Sequence, residues 1–375
     1  MHISKLAAVA SIASAAAAAS AAAPRFVMYY DQWHKLSAQP PKDVVAGITH
    51  VITAFAESTI FATNPPASFT PFVNPDTLRG WFDPGTKMCL AVGGWGLSTG
   101  FNTGQKTPES RALYAQNVAA TLKALGYDCV DIDWEYPGGN GEDYITSPNS
   151  EKLDEIENYP LFLQAIKDAI GDKELSIAVP GREGDMIAFT ADKVPNITKI
   201  VDFVNVMAYD LMNRRDNVTN HHTSVQGSLQ TVQKYLDLGM DAAKMNLGIA
   251  FYAKWFTTSE DCSSKPIGCK TVPLEDNGED TEMSGPVTFA EGVPVRSSGV
   301  ADKEQGGEWY YDAQKSQFWT WDTPEFIAQK FEKIIKAKNL GGVMGWALGD
   351  DLPGFDYIKA MEDGVNSLKK TPSSA

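Results

Sequence analysis

An α/β fold, a (β/α)8 barrel with one inserted segment, is what this sequence predicts. Three observations carry the prediction. Eight apolar, strand-like runs recur along the chain. Amphipathic, helix-like stretches separate several of them. One interval near the C-terminal third breaks the alternation. Near-continuous apolar strands alternating with helices describe a parallel sheet covered on both faces, and eight such units close a barrel.

The first four strands are "RFVMYYDQ" (25–32), "GITHVITAFA" (47–56), "KMCLAVGGW" (87–95) and "CVDIDWEY" (129–136). The next four are "ELSIAVPG" (174–181), "FVNVMAYD" (203–210), "MNLGIAFYA" (245–253) and "GGVMGWAL" (341–348). Apolar residues at helical spacing predict helices over 108–126, 159–171, 228–239 and 323–339. Thr323 followed by Pro324 suits a helix cap and first position. The interval 254–320 is rich in Gly, Pro, Ser and charge. A connection that long is functional or an inserted subdomain. A small α+β insertion beside the cleft is expected there. The predicted organisation is therefore a leader over 1–22, a barrel from 23–253 and 321–370, and an insertion over 254–320.

A chain of 375 residues, 43% of them hydrophobic, can fill a core of this size. Its net charge of −15 argues against nucleic acid or an anionic membrane as partner. The N-terminus "MHISKLAAVASIASAAAAASAAAP" has a short basic start, an Ala-rich run and small residues at its end. It reads as a cleaved secretory signal, with the cut near 21–23. No later run has transmembrane length, so a secreted, extracellular protein is expected. "NIT" and "NVT" then make Asn196 and Asn217 candidate glycosylation sites. Cys262 and Cys269 flank a short polar loop and are expected to pair. Cys89 and Cys129 lie in two apolar strands and read as buried free thiols, a bridge between them being the alternative.

The chemistry concentrates in "GYDCVDIDWEYP" (126–137). Side chains alternate along a strand, so Asp131, Asp133 and Glu135 share one face and Val130, Ile132 and Trp134 the other. Like charges about 6–7 Å apart repel, and burial strips their hydration. Some of the row must then hold a proton near neutral pH, which is costly as structure and useful as acid–base chemistry. The bland alternative is a solvated sheet face. It does not account for the apolar opposite face or for the glycine-rich turn "PGGNG" that follows. A divalent-metal site is a second rival, but no spacing elsewhere completes one.

At this point the motifs converge. "DCVDIDWE" resembles the DxxDxDxE signature of glycoside hydrolase family 18, the chitinase family. "AVGGW" (91–95) resembles its strand-three SxGG motif, "MAYD" (207–210) its strand-six motif and "GWAL" (345–348) its strand-eight tryptophan motif. "AFA" (54–56) and "FYAK" (251–254) are similar to its strand-two and strand-seven elements. The resemblance implies retaining hydrolysis of β-1,4 N-acetylglucosamine links, with the substrate's own acetamido oxygen as nucleophile. It implies Glu135 as general acid, Asp133 as the residue orienting the acetamido group, Asp131 as its deeper partner and Tyr209 as donor to the acetamido oxygen. Trp346 matches the floor under the reacting sugar. Asp210, Met207, Trp95, Tyr29, Phe55 and Tyr252 match substrate-binding and cleft-lining positions. Chitin or its oligosaccharides are the implied partner, the protein acting as a monomer; no cofactor or metal is implied. Two departures stand out: Ala91 replaces the usual serine beside the inner aspartates, and Lys254 replaces a frequent arginine. A chitin-binding lectin without turnover, or an endo-β-N-acetylglucosaminidase acting on N-glycans, are the other readings.

Overall fold

The computed structural model describes residues 23–64, 66 and 68–369, so the predicted leader over 1–22 lies outside the described residues. Eight parallel strands close a barrel. They are β1 (Arg25–Asp31), β2 (His50–Ala56), β3 (Lys87–Gly93), β4 (Cys129–Asp133), β5 (Glu174–Val179), β6 (Phe203–Val206) and β7 (Met245–Ala250), closed by β15 (Gly342–Trp346). Each strand pairs with the next in sequence, and β15 joins β7 to β1. Eight helices accompany them among the described residues: α1 (Pro75–Arg79), α2 (Thr99–Gly104), α3 (Pro108–Leu125), α4 (Leu153–Ile170), α5 (Val194–Ile200), α6 (Val225–Asp237), α7 (Pro324–Lys330) and α8 (Asp356–Lys369).

Strand alternation sorts the core into two layers. Odd-numbered β1 residues such as Val27 and Tyr29 pack inside the barrel with Ile52, Cys89, Cys129, Phe203 and Met344. Their even-numbered neighbours, Phe26, Met28 and Tyr30, pack outward under the helices. On β4 the outward face carries Val130 and Ile132, and Trp134, just past the strand, continues it with its indole stacked on Phe101 at 5.2 Å. The inward face carries Asp131 and Asp133, both buried. β4 ends at Asp133, so Glu135 stands in the turn beyond the strand.

The helices begin where their caps allow. Thr107 accepts from the Ser110 N–H and its capping box opens α3. Thr323 accepts from the Phe326 N–H and opens α7, which continues into a π-helical turn over Phe331–Lys336. α4 starts at Leu153, before the predicted 159, and carries Pro160 within it. A proline at the eighth position, inside the helix, gives up a backbone bond that tertiary packing of Tyr159, Phe162 and Ile166 offsets.

The strand read over 245–253 is two strands. The chain leaves the barrel after Ala250, and β8 (Tyr252–Thr257) begins a second sheet. That antiparallel sheet has the order β11 (Ser284–Thr288), β8, β14 (Gln317–Trp321), β13 (Gly307–Asp312), β12 (Val300–Asp302). A two-stranded ribbon, β9 (Glu275–Asp276) and β10 (Glu279–Asp280), projects beside it. Helical structure in this interval is one short 3-10 turn, Arg296–Ser298, among the described residues. Cys262 and Cys269 are disulfide-bonded, with Cα atoms 5.9 Å apart.

Cys89 and Cys129 are also disulfide-bonded, which corrects the reading of free thiols. The reason is register. β3 and β4 pair so that Cys89 lies directly beside Cys129, both facing inward, with Cα atoms 4.4 Å apart. Their separation of 40 residues makes the bridge a large constraint on the unfolded chain. The double variant Cys89→Ala, Cys129→Ala is expected to lose about 3–4 kcal/mol by chemical denaturation. A loss under about 1 kcal/mol would mean that the bridge is not formed in solution.

Candidate active site

The C-terminal ends of the barrel strands open into a cleft of about 400 Å³. The acids of β4 stand at its floor, graded by depth. Asp131 is deepest and accepts three bonds: from the Tyr29 hydroxyl at 2.6 Å, the Ser176 hydroxyl at 2.5 Å and Asn205 Nδ2 at 3.2 Å. Burial pushes its pKa up against the pull of those donors. A polar column continues below it: Asn246 Nδ2 donates to Asn205 Oδ1 at 3.0 Å, and Arg25 Nε donates to Asn246 Oδ1 at 2.9 Å.

Asp133 lies one step higher, and its Oδ1 has no hydrogen-bond partner. Burial first, then the charges of Glu135 and Asp131, hold its pKa well above the usual carboxylate range. Glu135, at the mouth, is pushed up to about 7, chiefly by burial, with Asp210 and Asp185 adding to it and a bond from Tyr136 opposing. The result is a coupled row able to hold and pass protons near neutral pH. Asp128 takes no part. It lies outside the barrel before β4, where it accepts from Arg79 Nη1 at 2.7 Å.

Two glycines at the end of β3 make room for this row. Gly93 has φ 103°, and a Cβ there would stand 2.2 Å from the Asp133 carbonyl oxygen. Gly94 has φ 94°, donates its N–H to that same oxygen at 2.7 Å, and a Cβ on it would stand 2.7 Å from the Phe55 ring. The serine missing at Ala91 is answered from the other side. In register Asp131 lies between Ala91 on β3 and Ser176 on β5, and Ser176 supplies the hydroxyl.

Around the acids stand the predicted cleft residues. Trp346 stacks on Phe55 with ring centres 5.7 Å apart and tilts against Tyr29 at 5.3 Å. Tyr209 and Met207 are buried at the cleft wall, the Tyr209 phenol kept protonated by burial and by Asp133. Tyr252 donates to Asp210 Oδ1 at 2.8 Å, and Lys254 Nζ lies 3.1 Å from the same oxygen. Burial alone would raise Asp210; Lys254, His222 and Tyr252 outweigh it and hold the carboxyl below its usual range. Lys254 thus keeps the charge contact that an arginine would make. Trp95 is exposed at the rim, 6.3 Å from Tyr136. Three non-proline cis peptides, Ala54–Phe55, Glu135–Tyr136 and Trp346–Ala347, lie at these strand ends.

Several cleft residues escaped the sequence reading. Trp33 is exposed beyond β1 and faces Phe55 at 6.1 Å. Its place just after the first strand was the available signal. Arg182, Asp185, Arg214 and Arg215 line the cleft from the loops after β5 and β6, and Ser284–Pro286 from the inserted sheet. Arg215 lies 3.8 Å over the Tyr144 ring, Arg214 Nε donates to Glu275 Oε2 at 2.8 Å, and the Tyr144 hydroxyl donates to Glu275 Oε1, so the ribbon β9–β10 is tied to the loops after β6 and β4. Ser176 and Asn205 were legible as polar residues at inward positions of apolar strands. Asn196 and Asn217 are both exposed, and neither is among the cleft-lining residues; Cys262–Cys269 lies between β8 and β9.

Comparison with known proteins agrees with this geometry. The chain is 26% identical to Chitinase 1 of Aphanocladium album over 92% of this chain and 86% of that one. A chitinase structure from Rhizomucor miehei superimposes with a TM-score of 0.73 at 21% identity, covering 91% of this chain and 99% of that one. A Cycas revoluta chitinase mutant in complex with (GlcNAc)4 gives 0.72 at 20% identity, covering 90% and 98%. The family model described as glycosyl hydrolases family 18 matches residues 25–351, from the first residue of β1 to just beyond β15. With the acids of β4 held inside a barrel that this match spans from end to end, the chain belongs to glycosyl hydrolases family 18.

Proposed function

We propose that the protein is a chitinase that cleaves β-1,4 links between N-acetylglucosamine units with retention. One observation carries this reading above the others. A carboxyl with a pKa near 7, Glu135, stands at the cleft mouth above a buried aspartate, Asp133, whose Oδ1 has no hydrogen-bond partner. Glu135 gives its proton to the glycosidic oxygen as the bond to the anomeric carbon breaks. The substrate's acetamido oxygen attacks that carbon, so no protein nucleophile is required. Asp133 offers its free Oδ1 to the acetamido N–H and stabilises the oxazolinium charge. Asp131 anchors Asp133 from below through shared proton and charge. Tyr209, whose phenol keeps its proton, donates to the acetamido oxygen. Trp346 is the floor on which the reacting ring rests, and Asp210, Met207, Tyr252, Phe55 and Trp95 line the path of the chain; Tyr29, expected from sequence at the cleft, is instead buried in the barrel, where its hydroxyl holds Asp131. Glu135, now a carboxylate, then takes a proton from the water that opens the oxazolinium ion.

The substrate is chitin or its oligosaccharides, as the (GlcNAc)4 complex of the Cycas revoluta protein and the names of the relatives support. We propose further that residues 1–22 are a cleaved secretory signal, that Asn196 and Asn217 accept glycans in the secretory route, and that the segment 254–320 is an inserted unit walling one side of the cleft. The enzyme then acts outside the cell as a monomer. No helix among the described residues is long and apolar enough to cross a membrane.

The test is turnover of chitohexaose by the purified protein beside its Glu135→Gln variant, with products read by mass spectrometry. The wild type should cleave, and the variant should lose about 10²-fold or more while still binding the oligomer. Binding without cleavage by both would move the protein to the lectin reading. Asp133→Asn should also cripple turnover; a wild-type rate there would remove the substrate-assisted step. The acid form of Glu135 is the active one, so kcat should fall as pH rises through about 7. An alkaline limb absent from the wild-type profile would separate Glu135 from the proton transfer. Ser176→Ala should weaken the hold on Asp131 by about 1 kcal/mol and shift that profile. Ala91→Ser in the same background, placing a hydroxyl on the opposite flank of Asp131, should restore it in part. A profile unmoved in Ser176→Ala would mean that Tyr29 and Asn205 suffice.

A further inference from the structure

A second cluster of chemistry-bearing side chains lies away from the carboxylate row, at the seam where β1 meets β15. Asp31 ends β1 and is fully buried. His34 follows in the next loop, its side chain 34% exposed. Asp350 closes the 3-10 turn Leu348–Asp350 after β15 and is buried. Backbone bonds hold all three in place. Asp31 Oδ1 accepts from the N–H groups of Trp33 and His34, both at 2.8 Å. The Asp350 N–H donates to the Ala347 carbonyl at 3.0 Å, and the Asp350 carbonyl accepts from the Ala290 N–H at 2.9 Å. The two loops touch closely enough that a Cβ on Gly349 would stand 1.6 Å from the His34 carbonyl oxygen.

The cluster has too many acceptors for its donors. His34 Nδ1 lies 3.1 and 3.2 Å from the two oxygens of Asp31 and 3.0 Å from Asp350 Oδ1. One ring nitrogen carries at most one proton, so it cannot satisfy three oxygens. Asp350 Oδ1 is accordingly buried with no hydrogen bond. Two buried carboxyls facing one imidazole nitrogen are relieved by a proton on Asp350 or by a cation that displaces it. The donor set, one imidazole nitrogen and two carboxylates, suits zinc and its neighbours in the first transition row. The three donor atoms lie within 4.8 Å of one another. Ligand atoms around a tetrahedral ion with bonds of about 2.0–2.1 Å stand about 3.3 Å apart, close to the separations from His34 Nδ1. The exposed edge of His34 supplies an entry path.

We propose that Asp31, His34 and Asp350 form a binding site for a divalent cation of the zinc class. On binding, His34 Nδ1 releases its proton to solvent and coordinates as neutral imidazole, while Nε2 keeps the other proton. Asp31 uses Oδ2, since Oδ1 is occupied by two backbone donors. The ion staples the loop after β1 to the loop after β15. Trp33, next to His34, is thereby held at the outer edge of the cleft. The ion takes no part in bond cleavage, so this site stands or falls independently of the proposed activity.

The experiment uses the purified full chain, stripped with chelator and titrated with Zn²⁺ alone. Thermal unfolding should rise by about 3–5 °C at a hundredfold excess over Kd. Co²⁺ in place of Zn²⁺ should give the intense visible d–d bands of a four-coordinate ion with one equivalent bound. In Asp350→Asn, which keeps the side-chain shape, and in His34→Ala, the Zn²⁺-induced rise and the Co²⁺ bands should both disappear. No Zn²⁺-dependent rise in the wild type, or a rise left intact in both variants, overturns the proposal. A wild-type Co²⁺ spectrum identical to the hydrated ion does the same without recourse to any variant.

Discussion

Asp131 sits at the axis of the barrel, where no bulk water reaches it, and its two oxygens are met by Tyr29, Ser176 and Asn205. Burying a carboxyl in an apolar core is expensive unless donors replace the lost hydration. That requirement reaches down the whole interior. Asn205 must be oriented, and Asn246 orients it; Asn246 must be oriented, and Arg25 does so from the barrel's lower rim. Residues from β1, β5, β6 and β7 are thus committed to one acid on β4. The lower half of the barrel is a support for a charge placed in the upper half.

The same constraint grades the acidic row. Asp131 has its full set of donors. Asp133, above it, keeps one oxygen without a partner, and Glu135 stands in the turn beyond the strand. Burial raises all three carboxyls and neighbouring charge adds to it at Asp133 and Glu135, with Glu135 left in the range where protonated and ionised forms are both accessible near neutrality. Asp210 goes the other way because a lysine, a histidine and a tyrosine converge on it. Carboxyls in one cleft are separated into proton carriers and a fixed charge by what each one faces.

The loops are divided by task as well. The strand ends are crowded by backbone, as at Gly93 and Gly94, where another residue type would meet Asp133 or Phe55. Away from them the second sheet and the ribbon β9–β10 contribute Ser284–Pro286 and Asp280 to the cleft lining, the ribbon tied through Glu275 to Arg214 and to the Tyr144 hydroxyl. On the opposite flank the short loop after β1 carries Trp33 and is pressed onto Gly349. A rigid floor with walls drawn from distant segments is the general way this architecture adapts a site.

Much of this was legible in sequence. Alternation in "VDIDWE" put Asp131 and Asp133 on one face and Trp134 on the other, because strand periodicity is a local backbone property. The eight strands followed from apolar runs, the helix at 108–126 from its spacing, and the start of the helix at 323 from its Thr-Pro pair. Local pattern could not give lateral register. The pairing of Cys89 with Cys129, and the replacement of a hydroxyl at Ala91 by Ser176, both depend on which residues of neighbouring strands come level when the barrel closes. The split of the seventh strand after Ala250 is of the same kind, since "GIAFYA" is apolar throughout and only packing decides which sheet each part joins. The sequence determined what the strands are and which face each acid takes. The tertiary structure decided who stands beside whom, because closure joins residues far apart in the chain and no short-range preference encodes that meeting.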